Sequence, residues 1–243
     1  MAKIHSIETL GAVDGPGIRF VIFMQGCPMR CQYCHNPDTW DYLGGKEMTI
    51  DQLMTEIRKY KHYFGDEGGV TVSGGEPMVQ IDFVTELFKA LKKEDIHTCL
   101  DSSGVMFRRT GEIYKKIEEL VKYTDLVLLD IKHIDSAKHK SLTMHENNNI
   151  LDFARYLDEK NVRIWVRHVL VPTINSDLES LNRLKKFIDS LKNVDKIEIL
   201  PYHTMGIPKY KELGLDYPLE GVPVPTEEQI KTANNILKGE YNK

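Results

Sequence analysis

Residues 27–34 are best suited to chemistry, because three of the chain's four cysteines lie within them. Cys27, Cys31 and Cys34 are separated by three and then two residues, and they follow a strand-like apolar run at 18–24. Thiolates at such spacings can wrap a short loop around one iron–sulfur cluster. A cluster of four irons would leave one iron without a protein ligand. That open iron would be a place for a substrate to bind.

Other kinds of site use some of the same residues. A structural zinc ion ranks second, with His35 as fourth ligand, although a residue directly after Cys34 would point awkwardly away from the shared centre. Residues 31–35 also match the motif for covalent haem attachment, but that chemistry belongs to exported proteins and no export signal is present. A redox dithiol would leave Cys27 unexplained. Three buried structural thiols are the simplest reading, and this density of cysteines argues against it.

The cysteine spacing is the signature of the radical S-adenosylmethionine (SAM) enzymes. The flanking segments narrow the resemblance: Asp14-Gly-Pro-Gly-Ile-Arg19, Gln25-Gly-Cys27 and Tyr33-Cys34-His35-Asn36. With them the chain resembles the glycyl-radical-enzyme activating enzymes. The similarity runs from about Ile4 to the C-terminal helix, which is essentially the whole chain.

The resemblance implies one 4Fe–4S cluster held by Cys27, Cys31 and Cys34, with SAM bound at the open iron. Reductive cleavage of SAM would give methionine and a 5′-deoxyadenosyl radical, which would take hydrogen from a backbone glycine of a protein substrate under anaerobic conditions. Activating enzymes for several other glycyl radical enzymes carry further cysteine motifs where residues 36–69 of this chain contain no cysteine. The single-cluster form implies pyruvate formate-lyase as the substrate and reduced flavodoxin or ferredoxin as the electron donor.

Two other classes of function use the same motif. One is a radical SAM enzyme that acts on a small molecule, which would make the radical but leave pyruvate formate-lyase untouched. The other is a non-enzymatic zinc-binding module, which would hold zinc and ignore SAM. Activation of another glycyl radical enzyme is a third alternative, closer to the main interpretation.

Length and charge exclude several classes. A chain of 243 residues fits one domain, so we expect a single radical SAM domain over residues 1–243. The formal charge of −4 without a basic block argues against a nucleic-acid partner. No apolar run reaches membrane-spanning length, so we expect no membrane contact and a cytoplasmic protein, whose thiols stay reduced. A monomer is the simplest expectation.

Six apolar, β-branched runs alternate with amphipathic helices, and this alternation predicts a parallel sheet with helical crossovers. Six strands are fewer than the eight of a closed barrel, so we expect an α/β fold of the open, partial TIM-like (β/α)6 barrel type. Capping boxes are predicted at Thr49 with Gln52 and at Thr226 with Gln229. The Pro- and Gly-rich segment 206–225 is predicted to be irregular. The predicted strands are 18–24, 69–72, 97–100, 126–129, 163–170 and 196–200; the predicted helices begin after Thr49 and cover 81–93, 110–122, 149–160, 177–191 and 226–238.

Chemistry in such folds collects at the C-terminal ends of the strands. Distinctive polar or Gly-rich residues follow or end each predicted strand: the cysteine loop, then 73–77, 101–104, 130–132, Arg167 with His168, and Tyr202 with His203. We expect all of them at one rim, where two acids and a lysine could position a zwitterionic ligand. Taken singly, each has a simpler interpretation: a tight turn at 74–75, a turn or cap at Asp101, a solvated pair at 130–132, an acid-paired Arg167 and a surface His203.

The resemblance assigns the cofactor-binding residues. Gly74, Gly75 and Glu76 match the segment that contacts the methionine amino group of SAM, and His203 matches a histidine that contacts SAM. The remaining cofactor-binding residues implied are Tyr33, Cys34, His35, Asp101, Asp130, Ile131 and Lys132. A monovalent-cation site is implied at Asp101, Ser102 and Asp130, although the usual Asp-Thr-Asn-Gly is Asp-Ser-Ser-Gly here.

The resemblance also assigns residues near the protein substrate. Arg167 matches an arginine near the substrate glycine, and Asp14 and Arg19 match residues close to the entering peptide. A simple turn at 15–17 is the alternative for the last two. Cys99 lies inside a predicted strand, far from the other cysteines, and is predicted to be a buried small hydrophobic residue.

Overall fold

A computed structural model of the chain describes residues 1–239. Its strands are β1 (Ala2–Gly11), β2 (Arg19–Met24), β3 (Lys46–Met48), β4 (Gly69–Gly74), β5 (His97–Ser102), β6 (Leu126–Asp130), β7 (Arg163–Leu170) and β8 (Val194–Pro201). Its helices are α1 (Ile50–Tyr60), α2 (Ile81–Lys92), α3 (Gly111–Val121), α4 (Ser136–Thr143), α5 (Asn148–Glu159), α6 (Leu178–Ile188), α7 (Ile207–Glu212) and α8 (Glu227–Leu237). The hydrogen-bonded order is β3-β1-β2-β4-β5-β6-β7-β8. This order leaves β3 and β8 as two edges, so the sheet is open, as predicted.

The six predicted strands correspond to β2 and β4–β8. Parallel pairing joins β2 to β4, β4 to β5, and β7 to β8. The sequence did not predict β1 and β3. Strand β1 pairs antiparallel with β3 on one side and with β2 on the other. The reason is physical: β1 is half exposed along most of its length and β3 has three residues, so neither shows a clear apolar run.

The chain forms two compact units, residues 1–28 with 39–128, and residues 29–38 with 129 onward. In the first unit β2 lies between two strands, and Phe20, Val21 and Ile22 are fully buried. In the second unit a core cluster is formed by Tyr33, Leu142, Val171, Tyr202 and Leu219. No helix among residues 1–239 is both long and apolar enough to cross a bilayer. A single domain over 1–243 stays a prediction.

Local signals placed most helix boundaries well. Both predicted capping boxes are confirmed, at the starts of α1 and α8. The irregular segment predicted at 206–225 is wrong for residues 207–212, which form α7. The sequence also did not predict α4, because its eight residues carry little apolar periodicity; Asp135 defines its start by accepting hydrogen bonds from the amides of Ala137 and Lys138, each at 3.0 Å.

Helix α4 ends in a strained conformation. Met144 has a left-handed φ of 67° and a side chain that is 69% exposed. Glycine is preferred at this position because a Cβ is disfavoured there. We expect Met144→Gly to raise the free energy of unfolding by about 0.5–1 kcal/mol in a urea titration. Met144→Ala, which keeps the Cβ, should show no such gain; an equal gain in both variants would contradict the explanation.

Two buried histidines make stability depend on pH. In the second unit, the Nδ1 atoms of His139 and His168 donate to the carbonyls of His145 (2.6 Å) and Ile131 (2.7 Å). Their Nε2 atoms are buried and accept no hydrogen bond from residues 1–239, so a second proton there would have no acceptor. Burial accordingly lowers the pKa of each ring to about 4.

In the unfolded chain both histidines bind a proton near their ordinary pKa of about 6.5, whereas in the folded chain they bind it only near pH 4. The free energy of unfolding is therefore largest above about pH 6.5 and falls as the pH is lowered toward 4. We expect about 2 kcal/mol to be lost per ring between pH 7.5 and pH 5. Urea unfolding at both pH values measures this. His168→Gln should lose less on acidification than the parent, and exposed His62→Gln should match the parent; equal parent stability at both pH values would contradict the linkage.

Candidate functional site

In the first unit, the end of β4 lies against the start of the cysteine loop. Gly74 has φ +111°, and a Cβ on it would lie 2.2 Å from the Met24 nitrogen. A Cβ on Gly75 would lie 2.3 Å from the Gly26 oxygen and 3.2 Å from the Cys27 Cβ. Only glycine fits at either position, so the paired glycines are required for this close approach of backbone to the loop.

The Glu76 side chain is buried and is held by the chain itself. Its Oε1 accepts from the Ser102 hydroxyl (2.6 Å) and the Met78 amide (3.2 Å). Its Oε2 accepts from the hydroxyl (2.5 Å) and the amide (3.0 Å) of Ser103. Burial raises the pKa of this carboxyl, and the four hydrogen bonds act in the opposite direction. Glu76 therefore joins the segment after β4 to the turn after β5.

The direction of these hydrogen bonds favours an ionised Glu76. Both serine hydroxyls also accept a backbone N–H, Ser102 from Gly104 and Ser103 from Val105, so their protons are directed at the carboxylate. Each carboxylate oxygen thus accepts from two donors, an arrangement that favours the ionised form and opposes the effect of burial. Ser103 contributes both donors to one oxygen, and the sequence analysis did not predict this arrangement.

Two of the three predicted cation ligands, Asp101 and Ser102, lie in this unit and have protein partners there. Ser73 donates to Asp101 Oδ2 at 2.7 Å, and the Ser102 hydroxyl binds Glu76 as described. Across residues 1–239, no three His, Cys, Asp or Glu side chains form a preassembled metal-ligand group. The cation site stays a prediction.

The Asp14–Arg19 turn is held in place by buried hydrogen bonds. The fully buried Arg19 guanidinium donates through Nε to Thr71 Oγ1 (3.0 Å) and through Nη2 to the Val70 carbonyl (2.7 Å). Thr71 Oγ1 in turn donates to the Asp14 carbonyl at 2.6 Å. Arg19 therefore has a structural function here, whatever else the turn contacts. Cys99 is fully buried in β5, as predicted.

In the second unit, the end of α4 supports the middle of the cysteine loop. The amides of Arg30 and Gln32 donate to the carbonyls of Thr143 (3.1 Å) and Leu142 (3.0 Å). All four cysteines lie among the described residues, and none of them forms a disulfide. Burial raises the pKa of the Cys31 thiol to about 12, against the opposing effect of Lys132. Burial therefore favours the neutral Cys31 thiol, and the nearby Lys132 cation favours the thiolate that a metal ligand requires.

Lys132 is buried, so the alternative of a solvated pair with Asp130 does not hold. Its Nζ lies 2.8 Å from Asp130 Oδ2 and 5.7 Å from the centre of the Tyr33 ring. Burial lowers the pKa of the ammonium, but Asp130, Tyr33 and Cys31 outweigh burial and raise the pKa well above its ordinary value. A permanent cation therefore lies close to the cysteine loop.

The backbone between Asp130 and Lys132 is held on both sides. The Ile131 amide donates to the Arg167 carbonyl at 3.0 Å, and the Ile131 carbonyl accepts from His168 at 2.7 Å. These contacts fix the direction in which the two charged side chains leave the strand.

Arg167 is paired with an acid that sequence reasoning missed. Its Nε lies 3.0 Å from Glu198 Oε2, and Lys196 binds the other oxygen of the same carboxylate at 2.7 Å. Lys196 Nζ also lies 4.3 Å from the centre of the Trp165 ring. The β7–β8 register places Glu198 directly opposite Arg167, a relationship that strand patterning alone does not contain. Arg167 is therefore paired with an acid, as the simpler interpretation predicted. Its contact with a substrate stays a prediction.

His203 contacts the end of the cysteine loop. Its ring stacks on His35 with centroids 4.0 Å apart and planes 29° apart. Gly206 approaches the same residues, and a Cβ on it would lie 3.1 Å from the Cys34 oxygen. Burial, and next the neighbouring His203, lower the pKa of His35. The structure therefore brings His35 and His203 together, as expected if they share one function.

Fold and cysteine spacing together define a class of protein. The Radical SAM superfamily model matches residues 21–188, more than half of the chain. A radical SAM methyltransferase from Sphaerobacter thermophilus shares the fold, with a TM-score of 0.62 at 16% identity over 92% of this chain and 64% of that one. The chain is a radical SAM enzyme. Its family implies an iron–sulfur cluster and SAM.

Closer relatives narrow the family. The pyruvate formate-lyase-activating enzyme of Listeria monocytogenes is 51% identical over 239 residues, 98% of this chain and 96% of the relative. That of Staphylococcus epidermidis is 51% identical over 232 residues, 95% and 92% of the two chains. A domain of the Bacteroides vulgatus enzyme superposes with a TM-score of 0.58 at 26% identity, covering 72% of this chain and 94% of that one. The chain belongs to the pyruvate formate-lyase-activating enzymes.

The residues present fit the cofactors that the family implies. Three cysteines that form no disulfide lie in one loop, which is the donor set of a cluster with one open iron. Gly75 lets the segment after β4 pack directly against the backbone that leads into Cys27.

Proposed function

We propose that this chain installs the glycyl radical of pyruvate formate-lyase by removing a hydrogen atom from a backbone glycine under anaerobic conditions. Identity of 51% over 98% of the chain to named activating enzymes carries this proposal. The absence of cysteine from residues 36–69, which leaves ligands for one cluster, supports it. When bound, the cluster would supply one electron to the SAM sulfonium, and the cleavage would give methionine and a 5′-deoxyadenosyl radical.

The chain's own residues hold and orient the cofactors. Cys27, Cys31 and Cys34 are the proposed cluster ligands. The Gly74-Gly75 backbone is proposed to receive the SAM amino group. Because the Glu76 carboxylate is already bound by four protein donors, we assign it to positioning that backbone.

Charges in the second unit suit the rest of SAM. The buried Lys132 cation is proposed to bind the methionine carboxylate, while Asp130 accepts from hydroxyl or ammonium groups. Ile131 lies between them in sequence, and we propose that it contacts the cofactor while its backbone stays bound to Arg167 and His168. Tyr33, Cys34, His35 and His203 are proposed to complete the cofactor site. A monovalent cation is proposed at Asp101, Ser102 and Asp130.

The substrate side is proposed to use Arg167 and Asp14. Glu198 and Lys196 restrict Arg167 on one side, so its guanidinium has a defined orientation toward an entering peptide. The electron donor is proposed to be reduced flavodoxin or ferredoxin. We further propose a cytoplasmic monomer with one domain.

Electron paramagnetic resonance tests the function. The chain is reconstituted anaerobically with iron and sulfide, reduced, and mixed with SAM and pyruvate formate-lyase. We expect a glycyl-radical doublet together with 5′-deoxyadenosine. Deoxyadenosine without the doublet would indicate that the substrate is another glycyl radical enzyme or a small molecule. Neither product from a cluster-loaded chain would overturn the catalytic proposal.

A further inference from the structure

The C-terminal part of the cysteine loop, residues 34–38, has a support of its own in the second unit. Lys209 Nζ on α7 lies 2.8 Å from Asn36 Oδ1 and 3.0 and 3.2 Å from the two carboxylate oxygens of Asp38. One ammonium thus binds two side chains that lie two and four residues after Cys34. No pattern in the sequence relates positions so far apart.

Helix α7, which carries Lys209, is packed against buried aromatic side chains. Tyr210, next to Lys209, is buried, and its ring meets Tyr217 edge-on with centroids 5.0 Å apart. The Tyr217 hydroxyl donates to that of Tyr202 at 3.0 Å. A buried aromatic group therefore sets the position of α7, and Gly206 lets the preceding chain approach the Cys34 carbonyl closely. Lys209 extends from a fixed element to a loop that has little regular structure.

We propose that Lys209 is a positioning residue that orders residues 34–38 and thereby retains the Cys34 thiolate at the cluster. The inference rests on the proposed cluster ligation. Lys209 and Asp38 are partly exposed, at 36% and 30% of their side chains, so their ion pair contributes little to global stability. The contact acts locally, by restricting the backbone that leaves the third ligand.

Amide hydrogen exchange of the cluster-free chain tests the ordering directly. Lys209→Met removes the ammonium and keeps the aliphatic stem; Lys211→Met, an exposed lysine on the same helix, is the matched control. We expect exchange at residues 35, 36 and 38 to become at least about threefold faster in Lys209→Met alone, with the thermal midpoint changed by less than about 2 °C. Unchanged exchange at these amides would overturn the inference.

Iron release tests the link to the cluster. After reconstitution, each protein is mixed with an iron chelator and the loss of visible absorption is timed. We expect Lys209→Met to release iron about three to ten times faster than the parent, and Lys209→Arg, which keeps the charge, to be closer to the parent. Equal rates in Lys209→Met and Lys211→Met would overturn retention of Cys34. A parent chain that takes up no cluster would instead overturn the proposed function.

Discussion

Single replacement of Cys27, Cys31 or Cys34 by alanine is expected to abolish SAM cleavage, whereas Cys99→Ala retains it. Each loop cysteine is a proposed ligand, and a cluster with two protein ligands is neither retained nor correctly oriented. Cys99 lies apart in β5, fully buried, and contributes packing rather than ligation. The measurement is 5′-deoxyadenosine formed per protein after chemical reduction, alongside iron content.

Cys99→Ala is a demanding control, because it removes a buried sulfur and costs stability of its own, about 1–2 kcal/mol. Loss of folding can therefore be separated from loss of the cluster by comparing thermal midpoints of the four cluster-free variants. The three loop variants should match or exceed Cys99→Ala in stability and still produce no deoxyadenosine. Full activity of Cys31→Ala would exclude the cluster assignment.

Local patterns predicted much of this fold. Apolar runs located the six strands β2 and β4–β8, and side-chain chemistry located two capping boxes, because each signal lies within one element. Strands β1 and β3 and helices α4 and α7 were missed for the complementary reason. They are short or half exposed, and their partners rather than their own sequences stabilise them.

The candidate site divides in the same way. The cysteine spacing and the paired glycines could be predicted from the sequence, because their chemistry depends on residues that are close together in the chain. Glu198 opposite Arg167 and Lys209 beside Asn36 depend on register and packing, which connect distant positions. The complete burial of Arg19 likewise depends on contacts with distant residues such as Thr71, and the sequence around the turn does not contain them.

Glu76→Gln is expected to weaken both folding and SAM binding. The amide keeps one acceptor and directs an NH2 at two donors of Ser103, so buried donors lose their acceptor. We expect a loss of about 2–4 kcal/mol in free energy of unfolding and at least a tenfold rise in the SAM dissociation constant, because the Gly74-Gly75 backbone loses its connection to the 102–103 turn. Urea titration and equilibrium dialysis measure the two. Glu86→Gln, at an exposed side chain on the outer face of α2, should change either quantity by little.

A double-mutant cycle separates positioning from simple stability. Ser103→Ala removes one hydroxyl donor and should cost about 1–1.5 kcal/mol. In the Ser103→Ala background, Glu76→Gln should cost less than it does in the parent, because one of the donors that it would strand is already absent. If SAM affinity follows the same non-additivity, the pair acts on the cofactor site as one unit. If stability is coupled while affinity is unchanged, Glu76 only stabilises the fold, and the contact with SAM must come from elsewhere along the rim.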